Sequence, residues 1–308
     1  MVRLFSKLLL CVFALTTGPL QAQNYCQWLY YRVFGACLKK QHQEDHPSED
    51  ELLQAAPAPF KDALKKYYKD LKKKRWGAVA HMYITQFQQE EQELCDEFLL
   101  LIGYTPEQWE MYKAKNDIFF KEQEDQDRKK IASTTHLVPT KLRLTINSFL
   151  KKSHINPQDI SIGMLQELEV AMRVTQTTIE ISKDSESDSH HIDDETKAVI
   201  MHEIQHLLHN DYYNAYMMQW CADELKNKEN KEKIKAVLFK LDRLHEKRAD
   251  ILGCLTDSNF AKSYKRTHET SVIVGDCVDY SKNEHDAPVV CAAYMKKLYR
   301  EMTHNGRL

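Results

Sequence analysis

The sequence contains little glycine and little proline, with eight of each among 308 residues. Both residues interrupt regular secondary structure. A chain with so few of them, and with abundant leucine, lysine, glutamate and glutamine, is typical of a largely helical protein. The length is sufficient for one large domain or two small ones. We therefore expect α-helices to predominate.

An excess of charge of either sign is also missing. The formal net charge is −2 at pH 7, although 29% of the residues are charged. A protein that binds the phosphate backbone of nucleic acid usually presents a clear basic excess. The densest basic run, residues 65–75, lies beside acidic residues, and we interpret it as a solvated helix face. The composition therefore predicts no nucleic-acid partner.

No two of the eight cysteines form a C-x-x-C pair, which argues against a zinc site built from thiolates. Cys11 belongs to the segment assigned below as a signal peptide. In an exported protein the other seven could form up to three disulfides and leave one thiol over. The sequence does not give their connectivity. These seven are Cys26, Cys37, Cys95, Cys221, Cys254, Cys277 and Cys291.

Only the N-terminus carries a long apolar run. Arg3 and Lys7 are the basic residues before the apolar run LLLCVFAL. The next segment, TTGPLQA, contains a helix-breaking Gly-Pro pair and ends in small residues. This layout predicts a secretory signal peptide over residues 1–22, with cleavage after Ala22. The alternative, an uncleaved membrane anchor, needs a longer apolar core. We expect no membrane span after the signal peptide and a secreted or periplasmic mature protein.

The rest of the chain divides into two regions. Residues 23–130 repeat apolar residues three and four positions apart, which is the helical period. The charged stretch EQEDQDRKK at 122–130 has no apolar anchor, and we interpret it as an exposed helix end or a linker. We place a domain boundary there, so that a second domain covers residues 131–308.

The second region contains the only good strand candidates. These are residues 161–165, 169–174 and 177–182, which are rich in β-branched and apolar residues. A helix is predicted before them over PTKLRLTINSFLKKS, and two long helices are predicted after them over 195–216 and 231–255. The fold class is therefore α+β, predominantly α, with a small sheet that precedes the first long helix.

That first long helix carries the motif HEIQH. His202 and His206 are four residues apart, so their rings project from one face, one turn apart. Two imidazoles at this spacing can bind one ion at about 2.0–2.1 Å each. Glu203 is adjacent to His202, close enough to reach a water molecule at the metal without binding the metal itself. Together they form HExxH, a zinc-peptidase signature in which the glutamate is the general base.

Three residues compete for the role of third metal ligand. His209 lies about 10 Å along the helix axis from His202, which is too far for all the rings to meet one ion. Glu224 has no supporting partner in its flanking sequence. Glu246 lies on the second long helix, and Asp250 follows one turn later, where a second carboxylate can orient a ligand histidine. We predict Glu246 as the third ligand and Asp250 as its supporting residue.

HEIQH followed by HEKRAD resembles the gluzincin metallopeptidases typified by HtpX and the CAAX prenyl endopeptidases. Their pattern is HExxH followed by E-x-x-A-D. Glu246, Ala249 and Asp250 fill the second motif, and Asp211 matches an aspartate often found after the first. The resemblance covers residues 160–255, about a third of the chain. It implies a zincin-like catalytic domain over the second region.

The resemblance also implies the chemistry. One zinc ion per chain would be bound by His202, His206 and Glu246, and Glu203 would act as the general base of peptide hydrolysis. The expected activity is that of a zinc metalloendopeptidase.

For the substrate, the resemblance implies an extended peptide that adds to the sheet along an edge strand near Thr177–Ser182. His285 is the candidate donor to the oxyanion. This sequence departs from the family at that point, because Asp286 and Ala287 split the family's His-Pro segment. The gap between the two motifs is short for the family, and many relatives carry membrane spans that we do not expect here.

An alternative from another functional class stays open. The chain would then be a non-catalytic exported protein in which a zincin fold persists and binds partners or acts like a chaperone. The intact Glu203 favours the enzyme, because a decayed site usually loses its general base early.

Overall fold

The computed structural model describes residues 59–165, 172–183, 192–225, 228–274 and 288–304. By its contacts the chain divides into two compact units, Met1–Ala56 and Pro57–Leu308, and the described residues belong to the second unit. The predicted signal peptide and His285 lie outside the described residues.

The described residues form nine α-helices and three strands. The helices are α1 (Lys61–Lys72), α2 (Gly77–Ile102), α3 (Pro106–Ser133), α4 (Thr140–Lys152), α5 (Asp194–His209), α6 (Asp211–Glu224), α7 (Lys228–Cys254), α8 (Ser258–Val274) and α9 (Pro288–His304). The strands are β1 (Ser161–Leu165), β2 (Met172–Val174) and β3 (Thr178–Ser182). Many helices around one small sheet confirm the predicted class, α+β with a predominance of α. Within this part of the chain no helix has the length and apolarity needed to cross a membrane.

The three strands form one sheet in the order β1-β3-β2. Strand β3 pairs with β1 in parallel and with β2 antiparallel. The segment Thr178–Ser182 is therefore the central strand, and the prediction that it forms an edge was wrong. The reason is that Met172–Val174 folds back onto it through a short turn. Among the described residues, β2 is the edge strand on the side of helix α5.

A buried carboxylate of α3 holds the turn between β2 and β3. Glu124 Oε1 accepts a hydrogen bond from the Thr175 hydroxyl at 2.9 Å. It also accepts from the backbone nitrogen and the hydroxyl of Thr177, both at 2.6 Å. Such charge-assisted bonds are stronger than neutral ones. Helix α3 thus fixes the position of the edge strand β2.

Helix α3 is continuous across the predicted domain boundary. It begins with a capping box, in which the Thr105 hydroxyl accepts from the Gln108 backbone and the Gln108 side chain accepts from the Thr105 backbone. It then runs without a break to Ser133. The stretch 122–130 is the mostly exposed last part of this helix and not a linker. The boundary predicted at residue 130 therefore does not coincide with a break in the structure.

The first helices are joined to the last ones by buried hydrogen bonds. The Tyr67 hydroxyl contacts the Leu252 carbonyl oxygen at 2.9 Å, and the Trp76 indole donates to the Leu255 carbonyl at 2.8 Å. These partners are 185 and 179 residues apart in sequence. Helices on both sides of residue 130 therefore share one packed core.

Helix α5 lies at the centre of this packing. Helices α1, α4, α6, α7 and α8 and strand β2 all contact it. Asp193 caps its start and accepts from the Thr196 backbone nitrogen at 2.8 Å. Burial of each aliphatic side chain stabilises the fold by about 1.5–3 kcal/mol relative to an exposed side chain. The packing of its apolar residues therefore holds helix α5 in place. Five of its apolar residues are at most 1% exposed, and they are Ile200, Met201, Ile204, Leu207 and Leu208.

The single helix predicted over 195–216 is two helices. Helix α5 ends at Asn210, which has φ 58° and ψ 35°, the left-handed conformation. Its backbone N–H bonds to the carbonyl oxygens of His206 and Leu207, as in common helix C-terminal motifs. Helix α6 then begins at Asp211. The motif helix and its continuation are therefore separate elements.

The described cysteines do not support three disulfides. Cys95, Cys221 and Cys254 are free thiols. Burial raises the pKa of Cys95 to about 12 and that of Cys221 to about 11, so these thiols stay protonated at neutral pH. Cys291 is likewise not part of a disulfide, so three of the seven cysteines remain for pairing, which is too few for three bonds. The number of disulfides expected from the cysteine count was too high, because a buried cysteine also serves as a small apolar side chain.

Candidate metal centre

Helices α5 and α7 cross closely enough to bring their two motifs together. Ala249 and Gly253 lie on the face of α7 that is fully buried. A Cβ atom on Gly253 would be 3.2 Å from the backbone nitrogen of His202 and 3.2 Å from the Met201 carbonyl carbon. Glycine therefore permits this approach, and any larger residue would push the helices apart. The crossing places Glu246 beside the two histidines of α5.

The three predicted ligands converge on one point. Nε2 of His202 and Nε2 of His206 are 3.1 Å apart. Glu246 Oε2 is 3.2 Å from the first of these atoms, and its Oε1 is 3.4 Å from the second. Two ligands at about 2.0–2.1 Å from a tetrahedral ion are about 3.4 Å apart. The spacing fits one small cation, and the group could hold a metal ion.

His202 is oriented by a chain of two further side chains. Its Nδ1 lies 2.8 Å from Asp250 Oδ1. An ionised carboxylate only accepts, so Nδ1 carries a hydrogen and Nε2 is the ring atom that faces the shared point. Asp250 Oδ2 in turn accepts from the Tyr294 hydroxyl of α9 at 2.5 Å. Asp250 thus lies where the sequence placed it, and Tyr294 was not predicted.

His206 is oriented by a different chain. Its Nδ1 lies 2.9 Å from Asp211 Oδ2. Asp211 Oδ1 accepts from Nη2 of Arg248, and Nη1 of Arg248 donates to Glu91 of α2. Each ligand histidine therefore has its own carboxylate, and each carboxylate has its own donor. Such supporting bonds fix the ring orientation and raise the basicity of the ligand.

A second group of metal-ligating residues lies behind His206. Glu91, Asp211 and His245 come close to one another, and His245 Nε2 is 3.1 Å from Glu91 Oε1. The positive charge there is the guanidinium of Arg248, which contacts both carboxylates. We therefore assign this group to the support of His206 and not to a second metal ion.

The converging group stabilises positive charge. Burial lowers the pKa of His206, but the charge of Glu246 and the hydrogen bond with Asp211 outweigh it and raise that pKa to about 10. For His202, burial is likewise outweighed by Asp250 and Glu246, which raise its pKa above the usual value. Burial raises the pKa of Glu246, but the two histidines hold it well below its usual range. A site with this potential attracts a cation.

Arg248 keeps its own neighbours ionised. Burial would raise the pKa of Asp211, but the guanidinium holds it well below its usual range. The same balance lowers the pKa of Glu91 to about 2. Both carboxylates are therefore acceptors at neutral pH, and Asp211 can only accept from His206.

The other candidate ligands point elsewhere. His209 Nδ1 donates to the Gln205 carbonyl at 2.8 Å, and its Nε2 accepts from the Tyr68 hydroxyl at 2.6 Å. Burial and the nearby Arg248 lower the pKa of His209 to about 3, so the ring stays neutral. Glu224 is exposed and accepts from Tyr112 at 3.0 Å. Neither belongs to the converging group, in agreement with the sequence argument.

A cleft of about 730 Å³ opens beside the converging group. This volume lies within the range of ligand-binding sites. Glu203 lines it together with His202, His206 and Glu246, so the predicted base faces the same space as the ligands. Strand β2 forms one wall through all three of its residues. Helix α6 forms another with Tyr212, Ala215, Tyr216, Gln219, Trp220 and Asp223.

Sequence reasoning missed several supporting residues. Arg248 stands inside HEKRAD, and a basic residue between two site carboxylates was a signal for a buried countercharge. Tyr294 and Glu91 gave no local signal, because they lie 44 and 157 residues from their partners Asp250 and Arg248. Such contacts become visible only in the folded chain.

No protein-family model, curated protein or solved structure matches this chain.

Proposed function

We propose that this protein is a zinc-dependent endopeptidase that is exported behind its N-terminal leader. One observation carries the proposal. Two histidine Nε2 atoms and one carboxylate converge within 3.4 Å, and a glutamate adjacent to the first histidine faces the same open cleft. Two imidazoles with one carboxylate form a ligand set found in catalytic zinc sites.

The ligand chemistry favours zinc over the hard cations. Magnesium and calcium prefer oxygen ligands only, whereas imidazole nitrogen suits zinc. Asp250 and Asp211 bind the Nδ1 side of His202 and His206, so Nε2 of each ring is the atom that would bind a zinc ion after losing its proton. A zinc ion held there would polarise the peptide carbonyl and acidify a water molecule.

Glu203 carries out the proton transfers. It follows His202 on α5 and lines the cleft, within reach of a water molecule that attacks the peptide carbonyl. The carboxylate takes a proton from this water and delivers it to the leaving amine as the C–N bond breaks.

Strand β2 is the element that would bind the peptide backbone. Met172–Val174 lines the cleft, and among the described residues it is the edge of the sheet on that side. An extended peptide can add to such an edge through main-chain hydrogen bonds. This strand takes the place of Thr178–Ser182, which the sequence had suggested.

Replacing Glu203 with Gln tests the proposal. Glutamine has a similar size but cannot accept the proton, so we expect about one zinc per chain in both proteins and at least a roughly 100-fold loss of peptide cleavage. Zinc is measured by elemental analysis, and cleavage is measured on an unfolded protein by mass spectrometry.

The matched control is Glu232→Gln, the same substitution at a side chain of α7 that is 82% exposed. It should keep both zinc and activity. A wild-type protein that binds no zinc, or a Glu203→Gln protein that cleaves at the wild-type rate, would refute the assignment.

A further inference from the structure

Three aromatic side chains follow one another along the cleft wall formed by α6. Tyr212, Tyr216 and Trp220 are spaced four residues apart and therefore lie on one face of the helix. The ring centroids are 6.4 Å apart in the first pair and 5.6 Å apart in the second. All three line the cleft and are half-buried. We call these three residues the aromatic row.

The aromatic row begins at the converging group and leads away from it. Tyr212 follows Asp211, whose carboxylate contacts the ligand His206. A helix rises about 1.5 Å per residue, so Trp220 lies about 13.5 Å further along the helix than Asp211. An extended peptide advances about 3.3 Å per residue. About four peptide residues therefore separate a bond at the metal centre from a side chain opposite Trp220.

Among the described residues, buried side chains pack against only one side of the aromatic row. Phe120 of α3 is 2% exposed and contacts Tyr212 and Tyr216 at centroid distances of 6.0 and 5.3 Å. Beyond the row, Phe119 contacts Trp220 at 6.0 Å and is 61% exposed. Aromatic surface that is exposed and continuous with a cleft is typical of a site that binds apolar groups.

The polar residues near Trp220 do not favour a basic ligand over an apolar one. Asp223 is exposed, and its Oδ1 accepts a hydrogen bond from Gln219 at 2.9 Å. Water screens an exposed carboxylate of this kind. The large contact area at this end of the cleft is supplied by aromatic rings, which gain most from covering an apolar side chain.

We infer that the cleft selects extended peptides with a large apolar side chain about four residues from the cleaved bond, and that Trp220 recognises this side chain. The inference rests on the proposed function, because it takes the converging group as the position of the cleaved bond. It names a substrate class, an unfolded or flexible polypeptide segment rich in large apolar residues.

Binding to the zinc-loaded Glu203→Gln protein tests the recognition without cleavage. The probes are three fluorescein-labelled peptides of twelve residues, built from Gly, Ser and Ala, with Phe, Ala or Arg at one internal position. We expect the Phe peptide to bind about tenfold more tightly than the Ala peptide. In the added background of Trp220→Ala this ratio should fall below about twofold, and Trp220→Phe should retain most of it.

The control is Met111→Ala, which removes an apolar side chain that is 73% exposed on α3 and is not part of the cleft lining. It should leave the tenfold ratio unchanged. Zinc content and circular dichroism of each variant show that the fold is kept. Equal affinity for the Phe and Ala peptides, or a preference for the Arg peptide, would overturn the inference.

Cleavage of the same peptides by the wild-type protein separates the inference from the function beneath it. A bond cut about four residues from the Phe supports both. Selective binding of the Phe peptide without any cleavage supports Trp220 as the recognition residue and contradicts the proposed endopeptidase function. Cleavage with equal kcat/KM for the Phe and Ala peptides, or a bond cut next to the Phe, keeps the function and overturns the inference.

Discussion

The two histidines of the candidate metal centre are held by carboxylates in different electrostatic surroundings. Asp211, behind His206, contacts a guanidinium that balances its charge. Asp250, behind His202, accepts from the phenol of Tyr294, which carries no positive charge. The carboxylate of Asp250 therefore adds more to the attraction for a cation. Asp211 adds more to the stability of the fold, because it satisfies a buried arginine.

Replacing each aspartate with asparagine should separate these roles. Asp250→Asn should weaken zinc binding by about 10–100-fold and lower the unfolding free energy of the metal-free protein less than Asp211→Asn does. Asp211→Asn should lower that free energy by about 3 kcal/mol, because it removes one partner of a buried ion pair.

Zinc affinity is measured by competition with a chromophoric chelator, and stability by urea unfolding in the presence of a strong chelator. Equal effects of the two substitutions on both quantities would contradict the distinction between Asp250 and Asp211.

At the scale of elements, the sequence predicted helices better than it predicted their arrangement. The HExxH spacing on α5 and the carboxylate pair Glu246 and Asp250 on α7 predicted Glu246 beside the two histidines, where it lies. The break at Asn210 was missed because apolar residues at helical spacing, such as Tyr213 and Met217, continue beyond it. A local signal was present, since asparagine is a residue that tolerates the left-handed conformation after a helix.

The place of β3 in the sheet could not be predicted for a related reason. TIEIS alternates polar and apolar residues, the pattern of a half-buried strand. In the structure both faces are buried, because Glu180 pairs with Arg173 at 2.5 Å and Thr178 bonds to the Thr175 hydroxyl at 2.8 Å. Polar residues in a central strand are tolerated when partners from neighbouring elements satisfy them.

The crossing of α5 and α7 gives a prediction at the same scale. Gly253→Ala adds a Cβ atom 3.2 Å from the backbone of His202, so α5 and α7 must separate by a few tenths of an ångström. The shift moves Glu246 away from both histidines, and we expect zinc affinity to fall roughly tenfold, as for a loss of supporting contacts. The added methyl group should lower the unfolding free energy by about 1–3 kcal/mol through overpacking. The higher helix propensity of alanine offsets part of this loss.

The measurement is again chelator competition, with Lys240→Ala as the control because that side chain of α7 is 58% exposed. The control should bind zinc like the wild type. Unchanged zinc affinity in Gly253→Ala would show that the close crossing does not position the ligands.

At the scale of the whole molecule, the first helices belong to the same packed unit as the candidate metal centre. Glu91 of α2 completes the chain of contacts behind His206, and Tyr68 of α1 completes the hydrogen bonding of His209. The sequence suggested a separate helical region up to residue 130, because each helix there has its own amphipathic period. Amphipathicity shows that a helix has a buried face, but it does not show which part of the chain covers that face.

A shortened protein tests this dependence. We expect residues 131–308 alone to unfold without cooperativity and to bind zinc at least 100-fold more weakly than the full chain. Removal of α1 and α2 leaves Arg248 without Glu91 and exposes the apolar faces that Tyr67 and Trp76 cover. Losing one partner of a buried ion pair alone costs about 3–5 kcal/mol, a large share of the 5–15 kcal/mol that stabilises a typical domain.

The control is residues 57–308, the complete second unit, which should unfold in one transition and bind zinc like the full chain. Circular dichroism melts and chelator competition on both fragments decide the matter. A cooperative melt with normal zinc affinity in residues 131–308 would restore the boundary that the sequence suggested.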